Sequence, residues 1–189
     1  MAMKNKWIPA MLIGLTFLLA QCKSASDVEP DDENELITTV QLQFSPTLIF
    51  TGDQTFTYRD IDGDGGNPPT KFDTISLLAN TEYVLKVTVL DESKNPADDI
   101  TEEVQEKADE HLFVFTPTPA SLLTYTYGDK DARNLPIGLV GTVKTGAAGT
   151  GTLRVQLRHQ PPISDKIMKD GTAGPGSDDV NLNFNLVVK

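Results

Sequence analysis

The chain has 189 residues, of which 39% are hydrophobic and 7% aromatic, and it carries 14 glycines and 12 prolines. This length and composition fit one turn-rich domain with an ordinary hydrophobic core. The 27 acidic and 16 basic residues give a formal net charge of −11. Phosphate-binding surfaces need clustered Lys and Arg, so this balance argues against nucleic acid as a partner.

Residues 1–21 have the layout of a bacterial signal peptide. Lys4 and Lys6 precede an apolar run over 7–20, which is short for a membrane-spanning helix. Residues 19–22, LAQC, end at the only cysteine and resemble the lipobox of bacterial lipoproteins, although Gln rather than Gly, Ala or Ser precedes the cysteine. The resemblance implies cleavage before Cys22 and acyl chains on it, which would anchor the mature protein to a membrane. The alternative is a short anchor that stays attached.

Residues 22–35 are expected to be the lipidated cysteine and a flexible acidic tether. Six acidic residues and almost no apolar ones follow Cys22 in this stretch, so it should remain extended. An acidic stretch at this place resembles the surface-export signal of Bacteroidetes lipoproteins. The resemblance implies the outer membrane and its exposed face, with the periplasmic face as the alternative. Loss of the signal would leave 14 basic against 27 acidic residues, a net charge near −13.

Residues 36–189 are predicted to form an all-β domain because hydrophobicity alternates with a period of two. Seven to nine short strands imply two stacked antiparallel sheets, since a single open sheet would leave an apolar face in water. The alternation is clearest over 40–44, 153–157 and 180–186, and further strands are predicted over 54–60, 72–78, 82–91, 111–116, 121–127 and 136–143.

Residues 77–85 resemble the tyrosine-corner segment of fibronectin III and related immunoglobulin-like domains. Leu77, Thr81 and Tyr83 have the matching spacing, while Ala79 replaces the usual proline. The Tyr83 hydroxyl is therefore expected to bond back to the backbone where the chain crosses between sheets. The expected fold is an immunoglobulin/fibronectin III-like antiparallel β-sandwich, and a strand-initial tyrosine in another kind of β protein is the alternative.

One helix is predicted, over 98–110. Asp99 and Glu102 have the spacing of a capping box, and apolar residues at 100, 104 and 108 form one stripe. We expect this helix to cross between the sheets, with the stripe covering an edge of the core.

An acidic loop offers a candidate calcium site. Asp60, Asp62 and Asp64, with glycine at the sixth position, match the first half of an EF-hand loop. Lys71 occupies the twelfth position instead of a bidentate glutamate, so Asp73 is a candidate to complete the site. The alternative is a hairpin tip whose aspartates cap their own backbone.

The two histidines of the chain, His111 and His159, form a second candidate site. Each is in phase with the core-facing residues of its predicted strand. If the two strands are neighbours, both imidazoles can meet Asp109 or Glu110 at a transition metal. The alternative is two partly buried histidines bonded to backbone or acids at strand ends.

Enzyme signatures are not evident in the sequence. It contains no G-x-S-x-G nucleophile motif, and the glycine-rich run over 146–151 lacks the residues of a phosphate-binding loop. Acidic residues are so frequent that no glycosidase pair can be singled out. We therefore expect a protein that is not an enzyme.

Several segments together resemble a family of small Bacteroidetes outer-membrane lipoproteins, often labelled type 1 periplasmic-binding-fold proteins. They include FTYRDIDGDGG, TISLLANTEYVLKVTVLDES, DITEEVQEKADEHLFVF and GTGTLRVQLRHQP. The resemblance implies an outer-membrane lipoprotein and carries no activity with it. The label conflicts with the β alternation, because a periplasmic-binding fold is built from βαβ units.

Two functional hypotheses follow. The leading one is a lipid-anchored binding or structural accessory protein of the cell surface, stabilised by Ca²⁺ and contacting an outer-membrane receptor or another surface protein. The alternative is capture of a transition metal or haem by the two histidines in a nutrient-uptake system.

Overall fold

The computed structural model describes residues 36–48, 52–63, 65–164 and 166–189. The predicted signal peptide, Cys22 and the predicted tether over 22–35 lie outside the described residues, as does Asp64. Within the described part of the chain, no helix is long and apolar enough to cross a membrane. The strands are β1 (Thr39–Pro46), β2 (Gln54–Arg59), β3 (Lys71–Phe72), β4 (Ile75–Leu77), β5 (Glu82–Asp91), β6 (Asp98–Asp99), β7 (His111–Thr118), β8 (Leu123–Tyr127), β9 (Val140–Thr145), β10 (Gly149–His159) and β11 (Ser177–Val188).

The strands form two sheets. The first has the order β3-β2-β1-β5-β9-β8, with β6 paired to the end of β5, and the second has the order β4-β11-β10-β7. Alternate residues point inward, as in β5, where Tyr83, Leu85, Val87 and Val89 are buried. The predicted all-β, two-layer sandwich is confirmed.

The hydrophobic core lies between the sheets. Aromatic pairs connect the two layers, with ring centroids 5.0 Å apart for Phe72 and Phe184 and 4.3 Å apart for Phe115 and Tyr125. Of these four rings Phe184 is fully buried, and edge-to-face and stacked contacts of this kind add to the apolar burial that holds the layers together. The fully buried side chains include Leu42, Phe44, Ile75, Leu77, Tyr83, Leu85, Phe113, Leu153 and Phe184.

The region over 72–78 is two strands rather than the single predicted one. β3 belongs to the first sheet and β4 to the second, so the chain changes sheet between Phe72 and Ile75. Asp73 fixes this crossing: its N–H donates to the Thr57 carbonyl at 3.0 Å, and its carboxylate accepts from the Thr57 N–H at 2.8 Å. β4 pairs with β11 in parallel, so the expectation of purely antiparallel sheets was wrong for this pair.

The helix α1 (Ile100–Glu106) is shorter than predicted. The Asp99 carboxylate caps it by accepting from the Thr101 N–H at 3.0 Å, and Ile100 and Val104 are buried beneath it. Asp109 and Glu110 would place negative charge at the negative end of the helix dipole, which favours the stop at Glu106. As expected, the helix connects the first sheet to the second.

The hydrogen bond expected of a tyrosine corner is present. The Leu78 N–H donates to the Tyr83 hydroxyl oxygen at 2.9 Å, and the Tyr83 ring is fully buried. Just before β5, Thr81 is fixed as well, since its hydroxyl donates to the Ala79 carbonyl at 2.9 Å. The corner joins the end of β4 in one sheet to the start of β5 in the other.

Candidate metal centre

The two histidines meet. β7 and β10 are antiparallel neighbours, and their register places His111 directly opposite His159. The rings are stacked with centroids 4.8 Å apart and planes inclined by 7°. The pair continues the inward-facing row in which Phe113 lies opposite Leu157. The sequence prediction that these side chains could share a site required neighbouring strands, and that condition is met.

His111 presents one ring nitrogen for coordination. Its Nδ1 lies 3.1 Å from the Lys107 carbonyl oxygen, so Nδ1 carries the proton and donates. The Nε2 lone pair is then turned toward Asp179, whose Oδ2 lies 3.8 Å away. Burial lowers the pKa of His111 to about 4, with a smaller effect in the same direction from neighbouring His159. The ring is therefore neutral at pH 7, the form that binds metals.

Asp179 is the carboxylate that completes the cluster. Leu157 pairs with Val180 and Arg158 with Asp178, so Asp179 is the extra residue of a β-bulge in β11. A bulge redirects the side chain of the extra residue. Here it brings Asp179 Oδ1 to 3.9 Å from His159 Nδ1.

The Asp179 carboxylate is under-satisfied in this position. Its Oδ1 is buried and accepts no hydrogen bond. Burial raises the pKa of Asp179, an effect partly opposed by the neighbouring His159 and reinforced to a smaller extent by Asp178. A buried carboxylate oxygen without a partner is costly unless a cation or proton meets it.

The three side chains have the chemistry and spacing of a metal site. One ligand atom from each of His111, His159 and Asp179 lies within 4.8 Å of the others. Two imidazoles and a carboxylate suit Zn²⁺, Cu²⁺ or Fe²⁺, which sit about 2 Å from each ligand atom. The ring planes are inclined by only 7° and imidazole lone pairs lie in the ring plane, so at least one ring must rotate for both nitrogens to face one ion.

Glu110 lies beside the cluster, as the sequence suggested for Asp109 or Glu110. Its Oε2 is 3.7 Å from His159 Nε2. Its backbone carbonyl accepts from the Gln160 N–H at 2.6 Å, which extends the β7–β10 pairing past the two histidines. Asp109 is held from its backbone, where its carbonyl accepts from the Arg133 guanidinium at 2.7 Å.

The turn before β11 holds the bulge in place. The Arg158 guanidinium donates to the Pro175 carbonyl at 2.7 Å and pairs with Asp178 at 2.5 Å. Gly176 has φ +74°, and a Cβ there would lie 1.9 Å from the His159 carbonyl oxygen. Only glycine fits this approach, so the turn packs directly against the backbone of a candidate ligand residue.

A cleft of about 480 Å³ opens at this end of the sandwich. The first sheet contributes Ile37, Val40 and Tyr58 to it, and the second contributes residues 178–182, including Asp179. An ion in solution therefore has a path to the carboxylate at the cluster.

In the acidic loop, the predicted calcium ligands that the structure describes have different hydrogen-bond partners. Asp60 is buried at 5% exposure, and Asp62 accepts from both the backbone and side-chain N–H groups of Asn67 at 2.8 Å. Asp73 bonds to the Thr57 N–H and pairs with Lys71 at 3.2 Å. Asp73 is thus engaged at the sheet crossing, whereas Asp62 accepts its hydrogen bonds within the loop.

Comparison with family models, with curated proteins and with solved structures finds no match to this chain. The ligand types and geometry of His111, His159 and Asp179 are therefore the basis for the proposed function.

Proposed function

We propose that this protein is a lipid-anchored outer-membrane lipoprotein whose β-sandwich binds a divalent transition metal ion through His111, His159 and Asp179. One observation carries the proposal: two facing imidazoles meet a buried carboxylate oxygen that has no hydrogen-bond partner. The lipobox-like sequence ending at Cys22, together with the resemblance to small Bacteroidetes lipoproteins, supports the anchor.

The ligand set favours a bare ion over haem. The two rings face each other at 4.8 Å, which leaves no room for a porphyrin between them. Neutral His111 can bind without first releasing a proton, because its pKa lies well below 7. Zn²⁺ and Cu²⁺ match imidazole and carboxylate ligands best.

The biological role we propose is capture and delivery rather than catalysis. Three protein ligands leave a coordination position for water or for a ligand offered by another protein. A tethered protein holding such an ion could pass it to an outer-membrane receptor, so the accessory role and the metal site become one function. The negative charge of the chain, −11 overall, would attract cations to the surface.

We also propose that the sandwich is of the immunoglobulin/fibronectin III type. The bond from the Leu78 N–H to the Tyr83 hydroxyl supports this, since it is the feature by which such domains fix the crossing between sheets.

Zinc titration of the full-length protein by isothermal titration calorimetry tests the metal site. We expect one equivalent of Zn²⁺ to bind. Asp179→Asn, His111→Ala and His159→Ala should each weaken binding at least tenfold, since loss of even an outer-sphere partner has that effect. Asp170→Asn is the matched control, because this exposed carboxylate bonds to the Thr172 N–H and hydroxyl in another loop.

Absence of zinc binding in the wild-type protein would contradict the proposed site. Equal affinity in the wild type and the three ligand variants would contradict it as well, because binding would then reside elsewhere on the acidic surface.

A further inference from the structure

A second carboxylate without a partner lies at the acidic loop, which the proposed transition-metal site does not include. Asp60 is 95% buried, with 5% of its surface exposed, and its Oδ1 is buried without a hydrogen-bond partner. Its Oδ2 accepts from the Tyr58 hydroxyl at 3.2 Å. Leaving one oxygen of a buried carboxylate unpaired is unfavourable unless a proton or a cation meets it.

The Asp62 carboxylate lies close to that of Asp60. Hydrogen bonds from Asn67 lower the pKa of Asp62, and a smaller lowering comes from a side-chain hydrogen bond with Asp60. Two carboxyl groups this close repel each other when both are ionised. A cation between them would relieve this repulsion.

The basic residues of the same hairpin are already paired with other acids. Arg59 forms an ion pair with Glu92, and Lys71 pairs with Asp73 at 3.2 Å. Among the residues that the structure describes, no ion pair reaches Asp60 or Asp62. The negative charge of the two carboxylates is therefore uncompensated within this part of the protein.

We infer that Asp60 and Asp62 form a binding site for a hard divalent cation, Ca²⁺, separate from the histidine cluster. The donors are all oxygens, the ligand type that Ca²⁺ prefers and that transition metals prefer less. Backbone carbonyls and water complete the coordination in such sites. An affinity of order 10⁻⁴ to 10⁻³ M is typical of extracellular calcium modules.

The ion would fasten the loop to the start of the folded domain. The Asp60 N–H donates to the Thr38 carbonyl at 2.8 Å, and a Cβ at Gly63 would lie 3.2 Å from Leu36 Cδ1. Leu36 directly follows the predicted tether. Calcium would therefore stabilise the domain at the point where the anchor joins it.

Thermal unfolding of the full-length protein, at constant ionic strength, tests the inference. We compare 1 mM EGTA, 10 mM CaCl₂ and 10 mM MgCl₂ as experimental conditions, with calcium of order 100-fold above a dissociation constant of about 10⁻⁴ M. We expect calcium to raise the melting temperature of the wild type by about 5 °C or more and magnesium to raise it less. Asp60→Asn and Asp62→Asn should abolish the rise, and Asp170→Asn should keep it.

Comparison of the variants separates loss of calcium binding from loss of folding. Because Asp60 is buried, Asp60→Asn can impair folding, so the exposed Asp62→Asn variant serves as the second test. A calcium response in both variants equal to that of the wild type would overturn the site. No response in the wild type would also overturn it. The response should persist in His111→Ala, which separates this site from the transition-metal site.

Discussion

Lys169 forms a buried ion pair that no sequence pattern predicted. Its side chain is fully buried, and its Nζ lies 3.2 Å from Asp131 Oδ2 and donates to the Ala108 carbonyl at 2.6 Å. The Asp131 Oδ1 accepts from the N–H groups of Arg133 and Leu135, both at 2.9 Å. The pair fastens the loop before β11 to the loop before β9.

Replacing Lys169 by Met should strongly destabilise the protein. The change leaves the Asp131 carboxylate buried without its cation, which costs about 3–5 kcal/mol. Urea unfolding measures the loss. Lys166→Met, at an exposed position three residues earlier in the same loop, should change stability by no more than about 0.5 kcal/mol. Equal stability of the two variants would show that the buried pair contributes nothing.

Asp179 shows why the candidate metal site was only partly predictable. The phase of the strands over 153–157 and 111–116 placed His159 and His111 on inward-facing rows. The alternation over 180–186, continued back by one residue, would turn Asp179 outward. The β-bulge breaks the period at that residue and turns its carboxylate inward. The two consecutive acids at 178 and 179 were the available signal, and periodicity alone could not distinguish them.

At the scale of the element, β8 carries two tyrosines whose hydroxyls bond across to neighbouring segments. Tyr125 donates to the Gly138 carbonyl at 3.2 Å, and Tyr127 donates to the Phe113 carbonyl at 2.9 Å. Burial raises the pKa of both hydroxyls, and the charge of Asp129 adds to this. Both hydroxyls therefore stay protonated in the folded protein at pH values where an unfolded chain loses its phenolic protons.

Stability should therefore fall as the pH rises above about 10, the ordinary tyrosine pKa. Above that pH the unfolded chain binds fewer protons than the folded one, so unfolding becomes more favourable. Urea unfolding between pH 8 and pH 11 measures the slope, and the double variant Tyr125→Phe/Tyr127→Phe should show a smaller one. An unchanged slope in the double variant would contradict the assignment.

The local sequence predicted the bounds of the other elements with differing accuracy. The period-two pattern identified β5 with its observed bounds and located β1, β2, β7, β8, β10 and β11. It missed the division between β3 and β4, because the change of sheet is fixed by Asp73 bonding to Thr57, a contact between distant residues. It overextended the helix, since the apolar stripe continued beyond the point where acidic residues disfavour the helical end.

At the scale of the whole molecule, the net charge of −11 can be related to the candidate cation sites. Among the described residues, three carboxylate oxygens are buried without a hydrogen-bond partner, on Asp60, Asp131 and Asp179. The Asp131 oxygen faces the Lys169 ammonium at 3.2 Å, whereas, within the same part of the chain, those of Asp60 and Asp179 face no cation closer than the histidines. Tyr58, which bonds to Asp60, and Asp179 both line the cleft at one end of the sandwich. An acidic protein concentrates cations near its surface, which favours their binding to the unpaired carboxylate oxygens of Asp60 and Asp179.

The most direct measurement of the proposed metal centre is side-chain ¹⁵N NMR of the histidines during zinc titration. The chain has two histidines, so each imidazole can be followed separately. We predict that both rings shift together up to one equivalent of Zn²⁺, with His111 coordinating through Nε2 while its Nδ1 keeps the proton bonded to Lys107. Rings that do not shift, or a shift of one ring alone, would contradict a shared metal site.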